Sequence, residues 1–382
     1  MHRLYAAFDL YPSAKGAATH IHQMAKALFD FEGEGTLLAL GNPRLPKYQQ
    51  EDNWEIYRFD EAIPNFLERT EAYGLFVHQH IRTLGNRLEL CHYRDIWSAL
   101  PILHPRRSYK TVFEVNSLPS IELPYRYPSL SPRTLRKIEH REQFALLHSD
   151  RIIVPSAVIR QKLQALGVPS EKIRLISNGA NIPAPQPKPQ DAPEKYLIYF
   201  GALQPWQGVD ILLRAFAQLQ DYPSLKLLIC CSTRPKAAKR YQKLARKLGL
   251  EESVVWRFQL DKPSLYAYVQ HALLSVAPLK EDRRNLEQGC NPLKIYESMA
   301  CGTPVVASEL PVVREVVAHN QHGRLLQAER PATLARNIRI LLDMPEKAQA
   351  FGQQALAYIQ ENHLWSKKSA ELKALYQELL NL

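Results

Sequence analysis

Short apolar runs alternate with amphipathic segments along the whole chain. The apolar runs are suited to buried strands, and they include RLYAAFDL, GTLLAL, WEIYRF, KTVFEV, YLIYFG, LKLLIC and LLSVAPL. The amphipathic segments have the 3.6-residue period of helices, and they include THIHQMAKALFDF, LRKIEHREQFALLHS and GVDILLRAFAQL. Strands that alternate with helices form parallel sheets, so the pattern predicts an α/β protein.

A proline-rich stretch divides this pattern into two halves. Residues 182–193, IPAPQPKPQDAP, have no hydrophobic period and the composition of a linker. A chain of 382 residues is also too long for a single hydrophobic core. We therefore predict one domain over residues 1–182, a linker over 183–193 and a second domain over 194–360. A final helix over 361–382 is expected to pack back on the first domain.

The N-terminus and the cysteines indicate the cellular compartment in which the protein is expected. The chain enters a strand almost at once, without the parts of a signal peptide, and no apolar run is as long as a membrane span. The five cysteines are scattered without a zinc-binding spacing, which indicates reduced thiols. We expect a cytoplasmic protein, and peripheral attachment to the inner face of the membrane stays open.

The net charge of +11 allows three classes of partner: nucleic acid, an anionic membrane surface or an anionic small substrate. The densest basic segment, residues 234–249, has lysines and arginines at helical spacing. A solvated helix face is the simpler interpretation, and attraction to a membrane or to phosphate is the alternative. Nucleic acid is not expected as a partner, because neither interleaved aromatic residues nor a helix-turn-helix pattern accompanies the charge.

Residues 275–308 carry the strongest functional signal. An apolar strand leads into the polar loop RRNLEQGC, after which Asn291 and Pro292 suit the N-cap and first position of a helix that Gly302 ends. A helix N-terminus just past the carboxyl end of a strand is where α/β proteins bind phosphate. Glu297 lies about a turn and a half inside this helix, where a carboxylate can accept hydrogen bonds from paired hydroxyls.

Several segments resemble glycosyltransferase family 4, a large family of retaining GT-B enzymes. They are AKGAATHIHQMAKAL, RIIVPSAVIRQKL, IRLISNGAN, YFGALQPWQGVDILLRAF and PLKIYESMACGTPVVAS. The resemblance implies two Rossmann-like domains whose parallel sheets face across a cleft. Residues 1–182 would form the acceptor-side domain, and residues 194–360 would form the nucleotide-sugar-binding domain. It also implies hexosyl transfer, with retention, from a nucleotide-sugar to a hydroxyl of a glycan, a lipid-linked sugar or a small metabolite. No metal or cofactor is expected, and biosynthesis of the cell envelope or of polysaccharide is the implied setting.

The resemblance implies a donor site in the second domain. Glu297 matches the family's ribose-binding glutamate, whereas Gly289 stands where the family has an earlier glutamate. Glu287, Gln288 or backbone groups of residues 290–293 are the candidates to replace it. The full set of donor-binding candidates is Gly16, Gln207, Arg284, Asn285, Gly289, Cys290, Asn291, Pro292, Leu293, Lys294 and Glu297.

Two cations that the family places beside the donor diphosphate are missing here. Ala202 and Gln207 occupy their positions. We expect Arg284 to supply the replacement charge, because it lies in the loop after a strand, and Lys294 and Arg234 are the alternatives.

The catalytic candidates lie in the first domain. The family usually has a histidine after a central strand, and here KTVFEVNS places Glu114 and Asn116 near that position. Glu114 is either a base towards the acceptor hydroxyl or a member of a salt bridge. Asn116 is the candidate to replace the missing histidine as a partner of the sugar, and His92 is a further candidate. His20, near the glycine loop, is either a buried cap or a substrate contact.

Two other functions compete with glycosyl transfer. One is a non-catalytic nucleotide-sugar-binding protein, which the missing cations favour and Glu297 opposes. The other is a basic module that binds membrane or nucleic acid. A dinucleotide oxidoreductase is not expected, because no G-x-G-x-x-G follows a strand.

Overall fold

The protein is described by a computed structural model over residues 1–31, 33–289 and 291–381. The chain forms two compact units. The first unit holds Met1–Ser13, Ala17–Ser177 and Lys368–Leu382, and the second holds Ala14–Gly16 and Asn178–Lys367. Within the described ranges, no helix combines the length and the apolar character that crossing a bilayer requires.

The first unit is built on an eight-stranded sheet. Its strands are β1 (His2–Leu10), β2 (Glu34–Leu40), β3 (Tyr48–Glu51), β4 (Trp54–Phe59), β5 (Leu88–Tyr93), β6 (Lys110–Glu114), β7 (Arg151–Val154) and β8 (Ile173–Leu175). They lie in the order β3-β4-β2-β1-β5-β6-β7-β8, and every pair is parallel except β3 with β4. Runs of consecutive buried residues in β1 and β2 indicate strands that are covered on both faces.

Helices connect these strands. They are α1 (Gly16–Phe29), α2 (Phe66–Leu84), α3 (Ile96–Ile102), α4 (Pro119–Arg126), α5 (Pro132–His148) and α6 (Ala157–Ala165). Several of these helices have a side-chain N-cap: Asn65 caps α2, Asp95 caps α3 and Ser131 caps α5. Each cap oxygen accepts hydrogen bonds from N–H groups that the first turn leaves without a partner.

The second unit is built on a six-stranded parallel sheet. Its strands are β9 (Lys195–Gly201), β10 (Leu225–Cys231), β11 (Val254–Phe258), β12 (Leu274–Ala277), β13 (Val305–Ser308) and β14 (Gly323–Leu326). Their order is β11-β10-β9-β12-β13-β14, so the direction of the connections reverses between β9 and β12. Crevices at such reversals, beside the carboxyl ends of the strands, are where open α/β sheets bind ligands.

The remaining helices follow in chain order. They are α7 (Val209–Phe216), α8 (Lys239–Lys247), α9 (Lys262–Gln270), α10 (Leu293–Ala300), α11 (Pro311–Arg314), α12 (Pro331–Leu342), α13 (Pro345–Asn362) and α14 (Trp365–Leu380). All but α14 lie within the second unit, whereas the part of α14 from Lys368 onward belongs to the first.

The predicted start of α10 is wrong by one residue. Pro292, not Asn291, is its N-cap, and no side chain among the described residues caps the helix. The side chain of Asn291 instead donates from Nδ2 to the hydroxyl of Tyr296, 2.7 Å away. The polar stretch ahead of the helix is also more ordered than a loop, because Arg284–Gln288 form one π-helical turn.

Candidate active site

Glu114 is the centre of a buried polar cluster in the first unit. It ends β6, which lies beside β5 and one strand from β1 in the sheet. Tyr5 of β1 pairs in register with His92 of β5, and Arg94 follows two residues later. Alternate residues of a strand share a face, so the sheet brings these side chains together near its carboxyl edge. We call Tyr5, His20, His92, Arg94, Glu114, Asn116 and Tyr376 the Glu114 cluster.

The Glu114 carboxylate receives polar groups on both oxygens. The Tyr5 hydroxyl donates to Oε2 at 2.6 Å, and His92 Nε2 lies 3.3 Å from the same oxygen. On the other oxygen, His20 Nδ1 lies 2.9 Å away, and Asn116 Nδ2 donates a short hydrogen bond. Because an ionised carboxylate only accepts, this set of donors holds it in one orientation.

Charge in the cluster is balanced. Burial alone raises the pKa of Glu114, but the neighbouring His20 and Arg94 and the hydrogen bonds hold the pKa well below its ordinary value. Burial lowers the pKa of His92, so its imidazole is neutral. Arg94, whose Nε lies 3.9 Å from Oε1, keeps its charge: burial lowers its pKa, yet the Glu114 carboxylate raises the net value. Glu114 is therefore an ionised counter-ion.

The structure brings the three catalytic candidates, Glu114, Asn116 and His92, into one cluster. His20 is 4% exposed and held by Glu114, while His92 is 0% exposed. Tyr5 and Tyr376 were missing from the sequence prediction. Both read as ordinary apolar positions of a strand and a helix, so the sequence carried no signal for their hydroxyls.

Lys294 is the centre of a second cluster, which lies in the second unit. Its amine donates to Gln207 Oε1 at 2.6 Å and lies 4.0 Å from the centre of the Tyr199 ring. A Cβ added to Gly201, the last residue of β9, would come within 3.4 Å of this amine. The lysine therefore lies at the carboxyl end of β9, beside the reversal point of the sheet.

Arg284 supplies a second cation nearby. Its guanidinium stacks on the Trp206 ring, 4.7 Å from the ring centre, and donates to Asn285 Oδ1 at 3.2 Å. The buried Asn285 amide in turn donates to the carbonyls of Trp206 (3.1 Å) and Lys280 (2.8 Å), which ties the two loops together. Burial, and then the charge of Arg284, lower the pKa of Lys294 to about 7. Two cations thus share a site where anionic charge is scarce.

Glu297 lies one turn further along α10 than Lys294. Its side chain is 6% exposed, and its Oε1 accepts a hydrogen bond from the Tyr266 hydroxyl at 3.2 Å and a short one from the Lys262 amine. Helix α9 therefore presents Lys262 and Tyr266 to this carboxylate.

The remaining donor candidates border the start of α10. A Cβ added to Gly16 would come within 3.1 Å of Leu293 Cδ1, so Gly16 lies against the first turn of the helix. The Asn291 carbonyl accepts a hydrogen bond from Asn178 Nδ2 at 2.7 Å. Pro292 is the N-cap residue, and Cys290 lies outside the described residues.

The structure gives a physical reason for glycine at position 289. Gly289 ends the π-helical turn with φ 57° and ψ 48°, a left-handed conformation that glycine adopts without strain. A glutamate here would strain the backbone. Of its proposed substitutes, Glu287 is paired with Arg283 at 2.8 Å, and Gln288 is buried. Arg234 lies exposed before α8, at the N-cap of a short 3₁₀ turn.

Comparison with known proteins identifies the family. Residues 14–182 match the family model described as Glycosyltransferase Family 4, and residues 183–357 match the model described as Glycosyl transferases group 1. The chain belongs to these glycosyltransferases. The predicted family and enzyme class are confirmed.

Individual relatives of this glycosyltransferase are distant. The D-inositol 3-phosphate glycosyltransferase of Thermobispora bispora is 26% identical over 250 residues, covering 61% of this chain and 56% of that protein. The chain thus spans little more than half the length of this curated relative.

Solved structures share its fold. Sucrose-phosphate synthase from Thermosynechococcus elongatus superimposes with a TM-score of 0.82 at 21% identity, covering 99% of both chains. Anabaena HepE in complex with UDP-glucose gives a TM-score of 0.74 at 18% identity, covering 99% of this chain and 100% of that one. The glycosyltransferase therefore has the predicted GT-B fold, with two α/β domains; the sheet of the first is parallel except at its β3 edge, and the sheet of the second is parallel throughout.

Proposed function

We propose that this glycosyltransferase moves a sugar from a nucleotide-sugar to a hydroxyl acceptor with retention of configuration and without a metal ion. One observation carries the proposal: Lys294 and Arg284 lie at the reversal point of the second sheet, with Glu297 one turn further along α10. Two cations followed by a carboxylate match a diphosphate followed by a ribose.

The diphosphate is the part of the donor that Lys294 and Arg284 bind. Both cations are partly shielded from solvent. Their charges therefore interact more strongly with an anion than they would in water. The lowered pKa of Lys294 supports this role, because a bound diphosphate relieves the repulsion from Arg284. As the bond to the sugar breaks, negative charge grows on the leaving phosphate, and the two cations stabilise it together with the N–H groups of the first turn of α10.

The ribose is the part that Glu297 binds. A carboxylate with two oxygens accepts hydrogen bonds from both hydroxyls of a ribose. Lys262 and Tyr266 hold this carboxylate from α9, so donor binding exchanges or shares these contacts. We propose uridine diphosphate as the nucleotide part, because HepE, which shares the fold, is seen in complex with UDP-glucose.

Within the Glu114 cluster, His20 is the residue that we propose contacts the substrate. Glu114 is too weak a base to take a proton from a hydroxyl, since its pKa lies well below the ordinary value. It positions His20 instead, through the 2.9 Å contact to Nδ1, and Asn116 is held at the same oxygen. This assignment replaces the idea of Glu114 as the base and keeps it as a positioning residue.

Retention follows when the departing phosphate itself acts as the base. The bond between the sugar and the phosphate breaks, the acceptor oxygen bonds to the same carbon, and the acceptor's proton passes to the departing phosphate oxygen. Acceptor and leaving group then share one face of the sugar, so the configuration is kept. Lys294 and Arg284 supply the charge stabilisation that a metal ion gives elsewhere.

The acceptor class and the location are proposed more broadly. The acceptor is a hydroxyl of a glycan, a lipid-linked sugar or a small metabolite; the relative named for D-inositol 3-phosphate supports a small phosphorylated polyol. A cytoplasmic location fits a nucleotide-sugar donor, and the exposed basic residues of α8 support contact with an anionic membrane surface.

A donor screen tests the proposal. Thermal unfolding is measured with a panel of nucleotides and nucleotide-sugars, in which the donor raises the midpoint by mass action. The selected donor is then incubated with candidate acceptors, with and without a chelator, and the anomeric configuration of the product is determined by proton NMR. An inverted product or loss of turnover with the chelator would contradict the mechanism.

The alternative function, a non-catalytic nucleotide-sugar-binding protein, can be distinguished from the enzyme by experiment. Such a protein binds the same nucleotide-sugar with the same thermal shift but turns over neither acceptor nor water. Release of the free nucleotide during long incubation, absent in Lys294→Met, therefore favours the enzyme.

A further inference from the structure

Helix α14 contributes a hydroxyl to the Glu114 cluster from the far end of the chain. Tyr376 is 0% exposed, and its Oη lies 2.6 Å from Nδ1 of His92, a residue 284 positions earlier. The two rings meet edge to face, with centroids 6.0 Å apart and an interplanar angle of 73°. Both residues belong to the first unit.

The direction of this hydrogen bond can be deduced. His92 Nε2 lies 3.3 Å from Glu114 Oε2, and an ionised carboxylate only accepts, so Nε2 carries the hydrogen. The imidazole is neutral, because burial lowers its pKa, and Nδ1 therefore has a lone pair. The Tyr376 hydroxyl keeps its proton, since burial raises its pKa well above the ordinary value. Tyr376 must donate, and His92 must accept.

A chain of contacts thus links the C-terminal helix to His20. Tyr376 fixes the tautomer of His92, whose Nε2 lies 3.3 Å from Oε2 of Glu114. Tyr5 donates to the same oxygen, while the opposite oxygen faces Nδ1 of His20. With its partners on one side fixed, the carboxylate can turn little, and it holds the His20 ring in one orientation.

We propose that Tyr376 is a positioning residue for the transfer reaction, which sets the Nε2–H tautomer of His92 and, through Glu114, the orientation of His20. This inference rests on the proposed function for its effect on turnover. Its effect on the His92 tautomer is independent of any reaction.

The competing explanation is that Tyr376 only packs α14 against the sheet. Leu372, Leu375 and Leu379 of the same helix are buried and supply apolar packing without it. Tyr376→Phe keeps the ring and removes the hydroxyl alone. Tyr73→Phe is the matched control, because Tyr73 is 0% exposed in the same unit and donates its hydroxyl to the Leu38 carbonyl, 3.0 Å away, outside the cluster.

The test reads the tautomer directly by nitrogen-15 NMR of the full chain with labelled histidine, the His92 signals being assigned by their loss in His92→Gln. We expect His92 with the hydrogen on Nε2 in the native protein and in Tyr73→Phe. In Tyr376→Phe we expect the Nδ1–H tautomer to gain population. Hydrogen on Nδ1 in the native protein, or an unchanged tautomer in Tyr376→Phe, would overturn the proposal.

Turnover gives the second readout. Tyr376→Phe should lower kcat by about tenfold, a size typical of outer-shell partners, and leave the donor KM nearly unchanged. His92→Gln keeps an N–H near Glu114, and in that background the Tyr376 change should lose most of its effect, so the two changes are coupled. Equal and additive effects would overturn the proposal. If no donor is turned over at all, the proposed function fails, while the NMR result still decides the tautomer.

Discussion

The proposed role of Lys294 in donor binding depends on the charge of its amine, and the titration of that amine predicts how donor affinity changes with pH. With a pKa of about 7, the amine is charged at pH 6 and largely neutral at pH 8.5. Only the charged form attracts a diphosphate, so donor binding takes up a proton above pH 7. We expect donor affinity to fall roughly 10- to 30-fold between about pH 6.5 and pH 8.5.

Lys294→Met should remove this pH dependence and weaken binding at pH 6 by roughly 10- to 100-fold, the loss of one charged hydrogen bond. Lys280→Met is the control, because Lys280 pairs with Asp210 at 2.8 Å and should keep the native profile. Titration calorimetry at several pH values measures both. A flat profile in the native protein would refute the assignment of Lys294 to the diphosphate.

A substitution at Glu297 tests the proposed contact between its carboxylate and the ribose of the donor. Glu297→Gln replaces one of two acceptor oxygens with a donor, so we expect nucleotide-sugar affinity to drop by about tenfold or more. A nucleotide analogue without ribose hydroxyls should bind both forms equally, which assigns the loss to the ribose. The exposed Glu346→Gln is the matched control, and equal affinities in the two variants would argue against this role.

Glu114 should contribute stability as well as positioning. Its depressed pKa means that the stabilisation is complete above the unfolded value of about 4.3 and is lost as pH falls through the folded value. At pH 7, Glu114→Gln leaves the buried Arg94 without its counter-ion and should cost about 3–5 kcal/mol.

Urea unfolding at pH 7 and in acid measures this difference. The gap between the native protein and Glu114→Gln should narrow as the solution becomes acidic, whereas Glu61→Gln, an exposed change in the same unit, should have little effect at either pH. A gap that widens in acid would contradict the sign.

The residues of the site differ in how far the sequence could predict them. Lys294 and Glu297 were predictable, because they lie in a motif whose spacing along one helix fixes their relation. Tyr5 and Tyr376 were not, because their hydroxyls meet Glu114 and His92 only through the sheet and through α14. The stack of Arg284 on Trp206 also needed two loops to meet, which the linear order does not record.

At the scale of elements, Gly208 shows how one backbone position holds the donor side together. It is the N-cap residue of α7 with φ 68°, and a Cβ there would lie 1.7 Å from the Pro278 carbonyl oxygen in the loop after β12. Gly208→Ala therefore combines left-handed strain with a collision between the loops that carry Gln207 and Arg284. We expect a loss of more than about 3 kcal/mol of stability.

Gly249→Ala is the matched control for this change. Gly249 has nearly the same φ, 70°, but a Cβ would meet nothing within 4 Å, so only conformational strain of about 1–2 kcal/mol remains. Denaturant midpoints of the two variants separate collision from strain. Similar losses of stability in the two variants would mean that the loop with Pro278 moves away from the added Cβ at little cost.

The elements themselves were largely predictable, because apolar runs and helical periods are local. The elements that the sequence analysis did not predict are short. They include the edge strand β3, the four-residue strand β14, and the helices α3, α4, α9 and α11, none longer than nine residues. The sequence predicts only a polar loop at Arg284–Gln288, because the π-helical turn found there depends on the Asn285 contacts to two other segments. Strand order was not predictable in detail, because pairing partners lie far apart in sequence.

At the scale of the whole molecule, the net charge of +11 predicts attraction to anionic surfaces. The basic residues concentrate on α8, where Lys239, Lys243 and Lys247 are exposed and no acidic residue shares the helix. If this face contacts lipid, binding to vesicles with anionic headgroups should fall steeply as salt rises past about 0.1 M, because screening shortens the reach of the field to about 10 Å.

The simpler interpretation is that the basic face of α8 is only solvated. Two triple variants that remove equal charge distinguish this interpretation from contact with lipid. Changing Lys239, Lys243 and Lys247 to Gln should abolish most vesicle binding, while the same change at the dispersed, exposed Lys47, Lys110 and Lys195 removes equal charge and should weaken binding much less. Equal losses in the two triple variants would mean that net charge alone attracts the membrane and that α8 is no docking face. Donor affinity serves as the common reference, since neither set of lysines belongs to the Lys294 or Glu114 cluster.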